Sequence, residues 1–168
     1  MEDQPKIKLI ISKTDKVIEM ISWTLLIGIW ILVITSFSDL PETIPIHFNG
    51  TGEADGFGVK TNIFGLPIIG TIVFVGMTIL NKNHHVSNYL TRITNENSLS
   101  QFYNAVRMIR VVKLITVLVF GLILIRTIKI TNGSADGLGN WFLPLIIGLF
   151  IIPTFYFLIK SIKIEIKH

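Results

Sequence analysis

Four long apolar blocks leave this chain few ways to fold. They run over Ile21–Phe37, Ile63–Leu80, Leu114–Ile125 and Trp141–Ile159, the third continuing to Ile130 past Arg126. A helix crosses bilayer hydrocarbon with about 20 mostly apolar residues, within a working range of roughly 17–25. The first, second and fourth blocks meet that length directly. The third meets it when its charged ends snorkel toward the interfaces. Ordinary strands are shorter, and barrel strands alternate apolar with polar residues, which these blocks do not. Lipid admits only helices or closed barrels, because every backbone polar group must be satisfied internally. The expected fold class is therefore an all-α integral membrane protein with four transmembrane helices. It forms one membrane domain over residues 1–168, with spans at about 20–38, 63–80, 111–130 and 141–160. The first block is longer than the apolar core of a signal peptide and has a long lead-in, so it reads as an uncleaved anchor.

Basic residues set the expected orientation. Lys6, Lys8, Lys13 and Lys16 precede the first span, whereas only Lys60 lies in the loop after it. Lys82, Arg92, Arg107, Arg110 and Lys113 lie between the second and third spans, Lys129 with Arg126 near the next loop, and Lys160, Lys163 and Lys167 after the fourth. The alternation of high and low counts places both termini in the cytoplasm. Residues 39–62 and 131–140 become outer loops and residues 81–110 a cytoplasmic region. The net charge of +4 then sits beside membrane spans, which points to membrane lipids as partners and not to nucleic acid.

Within the cytoplasmic region, Thr94 or Asn95 is the expected N-cap, with Glu96 near the positive end of the helix dipole. Leu99, Phe102, Tyr103, Val106 and Ile109 recur at helical spacing, with Gln101, Asn104, Arg107 and Arg110 largely between them. The expectation is an amphipathic helix at the inner interface, its basic residues among head groups, turning into or continuing as the third span.

The two outer loops share a repeat. Asn49–Gly58 reads NGTGEADGFG and Asn132–Gly139 reads NGSADGLG, and each leads into a span that opens Asn-x-Phe, with proline soon after. Turn chemistry alone favours Asn, Gly, Asp and Ser. Shared position and shared downstream context favour two parallel helical hairpins related by an axis along the membrane normal.

The longer loop concentrates the chemistry. His47, Glu53 and Asp55, with Asp39 and Glu42 nearby, are metal-ligand types, so His47 and Asp55 are candidates for a metal. His84, His85 and His168 fall on the opposite side of the membrane by the charge argument, and no HExxH spacing is present. Pro41 and Pro45 stiffen the entry, the glycines permit turns, and Asp55 before Gly56 fits an Asx-type turn. Phe48 and Phe57 are expected at the bilayer interface or on helix ends. A loop of this length with no role is uncommon, so an ordered outer cap is expected. Arg126, the clearest ionisable residue in a span, either snorkels or pairs with an acid of that cap, Asp55 or Asp136. No catalytic set emerges, and no cofactor is implied. Without cysteine, thiol chemistry is excluded.

The run Pro-x-x-Ile-Pro-x-His-Phe-Asn at Pro41–Asn49, followed by Gly52, Asp55, Gly58 and Lys60, resembles the signature of a bacterial membrane domain of unknown function. That domain is the N-terminal part of SdpI-type proteins, immunity factors against a secreted toxic peptide. Ile93–Lys113 resembles the same family's entry to its third helix. SdpI-type proteins continue into a second membrane half, whereas this sequence ends after the fourth span. The resemblance implies a multi-pass protein of the bacterial cytoplasmic membrane acting in immunity or sensing. It would recognise an extracellular peptide or lipid-linked ligand through His47, Asn49, Glu53, Asp55, Gly58 and Asp136, alone, as a homodimer or beside a membrane partner. The alternative is a small membrane enzyme or transporter component using His47 with Glu53 or Asp55, with or without a metal.

Overall fold

In a computed structural model, residues 10–82, 91 and 93–166 are described. Four helices dominate them: α1 (Lys13–Ser36), α2 (Gly65–Lys82), α3 (Ser98–Thr131) and α4 (Phe142–Ile166). All four are long and apolar enough to cross a membrane. The expected class holds, with one addition. The loop between α1 and α2 contains an antiparallel hairpin of β1 (Thr43–Phe48) and β2 (Ala54–Val59), flanked by 3₁₀ turns at Phe37–Asp39 and Lys60–Phe64.

Helix α3 is the hub. The other three helices all pack against it, while α1 and α2 touch each other only slightly. The core runs from the hairpin end, through Leu40, Ile44 and Ile63, along Val33, Ile29 and Leu26 of α1 to Phe74 of α2 and Val117 and Leu124 of α3. The outward faces of the helices remain apolar, as in Ile27, Ile31 and Ile34 of α1 or Ile151, Ile152 and Phe155 of α4. Such all-round apolar helices suit a lipid surround.

The amphipathic segment is the first third of α3 itself, and it is enclosed. The helix begins at Ser98 with Asn97 as N-cap; Thr94 and Asn97 lock the preceding turn by reciprocal bonds, Thr94 N to Asn97 Oδ1 (2.9 Å) and Asn97 N to Thr94 Oγ1 (3.3 Å). Phe102 and Val106 are buried as expected, but so are Gln101 and Asn104 on the polar face. Gln101 Nε2 donates to Thr91 Oγ1 and to the Ser161 carbonyl (both 2.9 Å), and the Ser161 hydroxyl donates to Gln101 Oε1 at 2.7 Å. Asn104 Nδ2 donates to the Phe157 carbonyl at 2.8 Å. The polar face meets α4, not water.

The basic residues of α3 likewise turn from head groups to the acids of α1. Asp15, buried in the first turn of α1, accepts from Arg107 Nε (2.9 Å) and Nη2 (3.2 Å) and from the Ser12 hydroxyl (2.6 Å). Arg110 lies between Asp15 and Glu19 at 3.8 and 3.7 Å. Lys113 is fully buried: its Nζ donates to Glu19 (2.5 Å) and Thr78 Oγ1 (3.1 Å) and sits 4.3 Å from the centre of the Phe74 ring. A cation–π contact of this kind adds about 0.5–2 kcal/mol. Arg107 and Arg126 are separated by about 28 Å of helix at about 1.5 Å per residue. That is close to the roughly 30 Å thickness of bilayer hydrocarbon.

Removing one partner of a buried ion pair leaves the other charge stranded, at a cost of about 3–5 kcal/mol, whereas apolar replacement of both is close to neutral. Glu19→Gln is expected to lower the thermal unfolding temperature in detergent strongly. The double variant Glu19→Leu/Lys113→Met should recover most of that loss.

Candidate functional site

The hairpin is built by local chemistry. Asn49 Oδ1 accepts from Thr51 N (3.0 Å), Thr51 Oγ1 (2.7 Å) and Glu53 N (3.0 Å), an Asx turn that reverses the chain. Glu53 closes the same turn, its Oε2 accepting from Asn49 Nδ2 at 3.1 Å and Thr51 Oγ1 at 3.2 Å. The turn therefore lies at Asn49–Glu53, and Asp55–Gly56 belongs to β2 instead of forming the expected turn.

The register is irregular where it matters. Pro45 faces Phe57, His47 faces Gly56, and Phe48 faces Ala54, so Ile46 and Asp55 are each unmatched. An extra residue on a strand re-aims the side chains beside it. Here the two irregularities bring His47 and Asp55 together, Nδ1 to Oδ1 at 2.5 Å. Because a carboxylate can only accept, Nδ1 carries the proton and Nε2 is left for another partner. Gly56 makes room for the imidazole: a Cβ there would lie 2.9 Å from His47 Cβ.

Beneath the hairpin is a cleft of about 580 Å³, walled by Ile44, Ile63, Leu66, Ile69, Ile123 and Leu138, with His47, Asn62 and Thr127 as its polar points. One wall is the sheet, another the start of α2, and the floor is α3 near Arg126. The cleft thus lies beside the Arg126 level of α3, with walls that are largely apolar.

The loop between α3 and α4 latches this cap. Leu138 N donates to the Gly52 carbonyl at 2.7 Å, Glu53 and Gly137 form a β-bridge, and Leu138 is buried beneath. Arg126 Nη2 donates to the Gly137 carbonyl. The acid partner expected in Asp55 or Asp136 is not the one used: Asp55 is held by His47, and Asp136 is exposed on the loop. A backbone carbonyl suffices because the latch places it directly above the guanidinium. Arg126 Nε is buried and, among the described residues, has no hydrogen-bond partner.

The repeated stretches touch each other but do not share a conformation. Asn49 nucleates a hairpin turn, whereas Asn132 ends α3, with Gly133 at φ +69° and Ser134 N donating to the Lys129 carbonyl at 2.8 Å, a glycine C-cap. The Gly52 and Glu53 that interrupt the first copy are the residues that bind the second.

Of the sequence-predicted residues, His47 lines the cleft and holds Asp55 beside it, and Asn49 and Glu53 hold the turn. Gly58 packs against Ile46 and Asn62, where a Cβ would fall 2.9 Å from either side chain, and Asp136 stands apart. Phe48 lines the cleft and Phe57 is exposed. Among the described residues, no three His, Asp or Glu side chains converge as a metal-binding set. His84, His85 and His168 lie outside the described residues. Residues that sequence reasoning missed are the cleft walls from α3, Ile123 and Thr127, which helical periodicity alone does not assign to a particular neighbour.

A family model described as a domain of unknown function, DUF1648, matches residues 24–71. That stretch runs from mid-α1 through the whole hairpin into α2. An uncharacterised protein of Archaeoglobus fulgidus is 33% identical over 76 residues, which is 45% of this chain and 37% of the relative. The chain therefore spans well under half of that protein's length. No solved structure matches the chain.

Gly137 has no space for a side chain, since a Cβ would collide with the Gly52 carbonyl. Forcing a group into such a contact costs about 1–3 kcal/mol. Gly137→Ala should open the latch and raise hydrogen–deuterium exchange at the Leu138 amide by about tenfold or more, with the helix amides unchanged.

Proposed function

We propose that this multi-pass membrane protein presents the hairpin end outside a bacterial cytoplasmic membrane and uses it to recognise an extracellular peptide or lipid-linked ligand, in immunity or sensing. The observation that carries the reading is the amphipathic cleft: apolar walls of about 580 Å³ at the membrane level, under a rim that holds the His47–Asp55 pair. Largely apolar pockets with a few convergent polar groups are the usual form of ligand sites. Charge supports this orientation. Among the described residues, the hairpin end carries five acids (Asp39, Glu42, Glu53, Asp55, Asp136) against Lys60, Arg126 and Lys129, while the opposite end has twice as many basic residues as acidic ones. Basic ends stay cytoplasmic. The resemblance to SdpI-type proteins supplies the immunity role.

The His47–Asp55 pair also favours the enzyme reading, since a carboxylate that orients an imidazole is how general bases are built. Among the described residues, though, no hydroxyl hydrogen-bonds to His47. Recognition needs only what the cleft already offers.

Cells lacking the protein are expected to become more sensitive to secreted membrane-active peptides, or to lose a transcriptional response to them. The His47→Ala form should fail to restore either. Unchanged sensitivity together with an unchanged response would contradict the recognition role.

A further inference from the structure

We infer that the cleft selects a cationic amphipathic peptide, whose basic group meets Asp55 on the exposed hairpin face beside His47 while an adjacent apolar side chain enters between the hairpin, α2 and α3. This rests on the cleft being a recognition site and adds the chemistry of what it recognises.

Rim charge decides between the two ligand classes. Asp55 brings a carboxylate to this edge, held by His47 Nδ1 at 2.5 Å and, among the described residues, paired with no Lys or Arg. Asp55 is well exposed, its side chain 44% accessible, and one of its oxygens remains free of His47. The His47 side chain is more exposed still, at 71%. Among the described residues lining the cleft, none is Lys or Arg.

Of the nearby cations, Lys60 is paired with an acid, and neither Arg126 nor Lys129 lines the cleft. Lys60 Nζ pairs with Glu42 at 3.0 Å and lies 5.4 Å from the Phe37 ring centre, and Arg126 is turned to the Gly137 carbonyl. Lys129 is on the last turn of α3, outside the cleft lining. A phosphate-bearing lipid head would meet the Asp55 carboxylate there. A lysine, arginine or amino terminus finds complementary partners there.

The apolar surface also continues beyond the cleft. Ile46, Phe57 and Val59 of the hairpin are 50%, 61% and 61% exposed, so a peptide bound at the rim has an apolar strand face to lie against. A cation beside a hydrophobic side chain is therefore the shortest motif that satisfies both parts of the site.

The test uses the full chain in nanodiscs of zwitterionic phosphatidylcholine, with empty discs subtracted. Probes are short fluorescent peptides of alternating Leu and Lys, the same with Glu for Lys, and dodecyl phosphate as competitor. Readouts are fluorescence anisotropy and the thiol-labelling rate of an Asn62→Cys variant at the cleft rim. The Lys peptide should bind at least about tenfold tighter than the Glu peptide and slow labelling at position 62. Asp55→Asn should erase that preference and Asp55→Glu should retain it. Equal or tighter binding of the Glu peptide, or displacement of the Lys peptide by dodecyl phosphate at lower concentration, overturns the charge assignment while leaving the cleft as a binding site. Protection of position 62 by neither peptide nor dodecyl phosphate overturns both.

Discussion

The interaction on which the bundle depends is the burial of Lys113 against Glu19, Thr78 and the Phe74 ring. A charge inside a span is tolerated only when a partner meets it, so the need to satisfy Lys113 fixes which faces of α1, α2 and α3 come together. One level outward, Asp15 gathers Arg107 and the Ser12 hydroxyl, with Arg110 beside it. These contacts tie the start of α1 to α3, and Gln101 and Asn104 tie α4 to the same helix. Lipid supplies no hydrophobic drive for helices to associate, so such polar contacts and close packing carry more of the specificity here than they would in water.

A frame held at one end leaves the other free to build a site. At the hairpin end the helices are capped by local chemistry: an Asx turn, two strand irregularities and one inter-loop latch. The latch matters because a two-stranded hairpin alone is marginally stable. Leu138 beneath the sheet and Arg126 on the Gly137 carbonyl anchor it to α3, so the cleft has a fixed floor. The candidate site thus sits on a loop positioned by a rigid scaffold, a common division of labour.

What the sequence revealed and what it withheld divide along physical lines. The spans were legible because bilayer thickness imposes a length and lipid imposes apolarity, and both can be counted along the chain. The partners of Arg107 and Lys113 were not, because Asp15 and Glu19 lie more than ninety residues away in a stretch that reads as a polar lead-in. Periodicity showed that Gln101 and Asn104 share a face but not whether water or another helix covers it. The hairpin was hidden because Ala54–Val59 is half Gly and Asp, residues depleted in strands. Identical letters also misled: Asn-Gly begins a hairpin turn at Asn49 and ends a helix at Asn132, since the preceding backbone decides which role the pair takes. His47 and Asp55 were legible as ligand-type residues, yet their meeting depends on irregular register that composition does not encode.

Sidedness is the claim on which the function rests, and it can be measured directly. The chain has no native cysteine, so single cysteines at Thr51, Ser134 and Ser100, all exposed, report their side of the membrane to an impermeant thiol reagent in intact cells. Ser100 serves better than its neighbour Ser98, which is buried. Labelling of Thr51→Cys and Ser134→Cys, with Ser100→Cys labelled only after the membrane is opened, is the predicted result. Labelling of Ser100→Cys alone in intact cells would turn the cleft toward the cytoplasm and contradict an extracellular ligand.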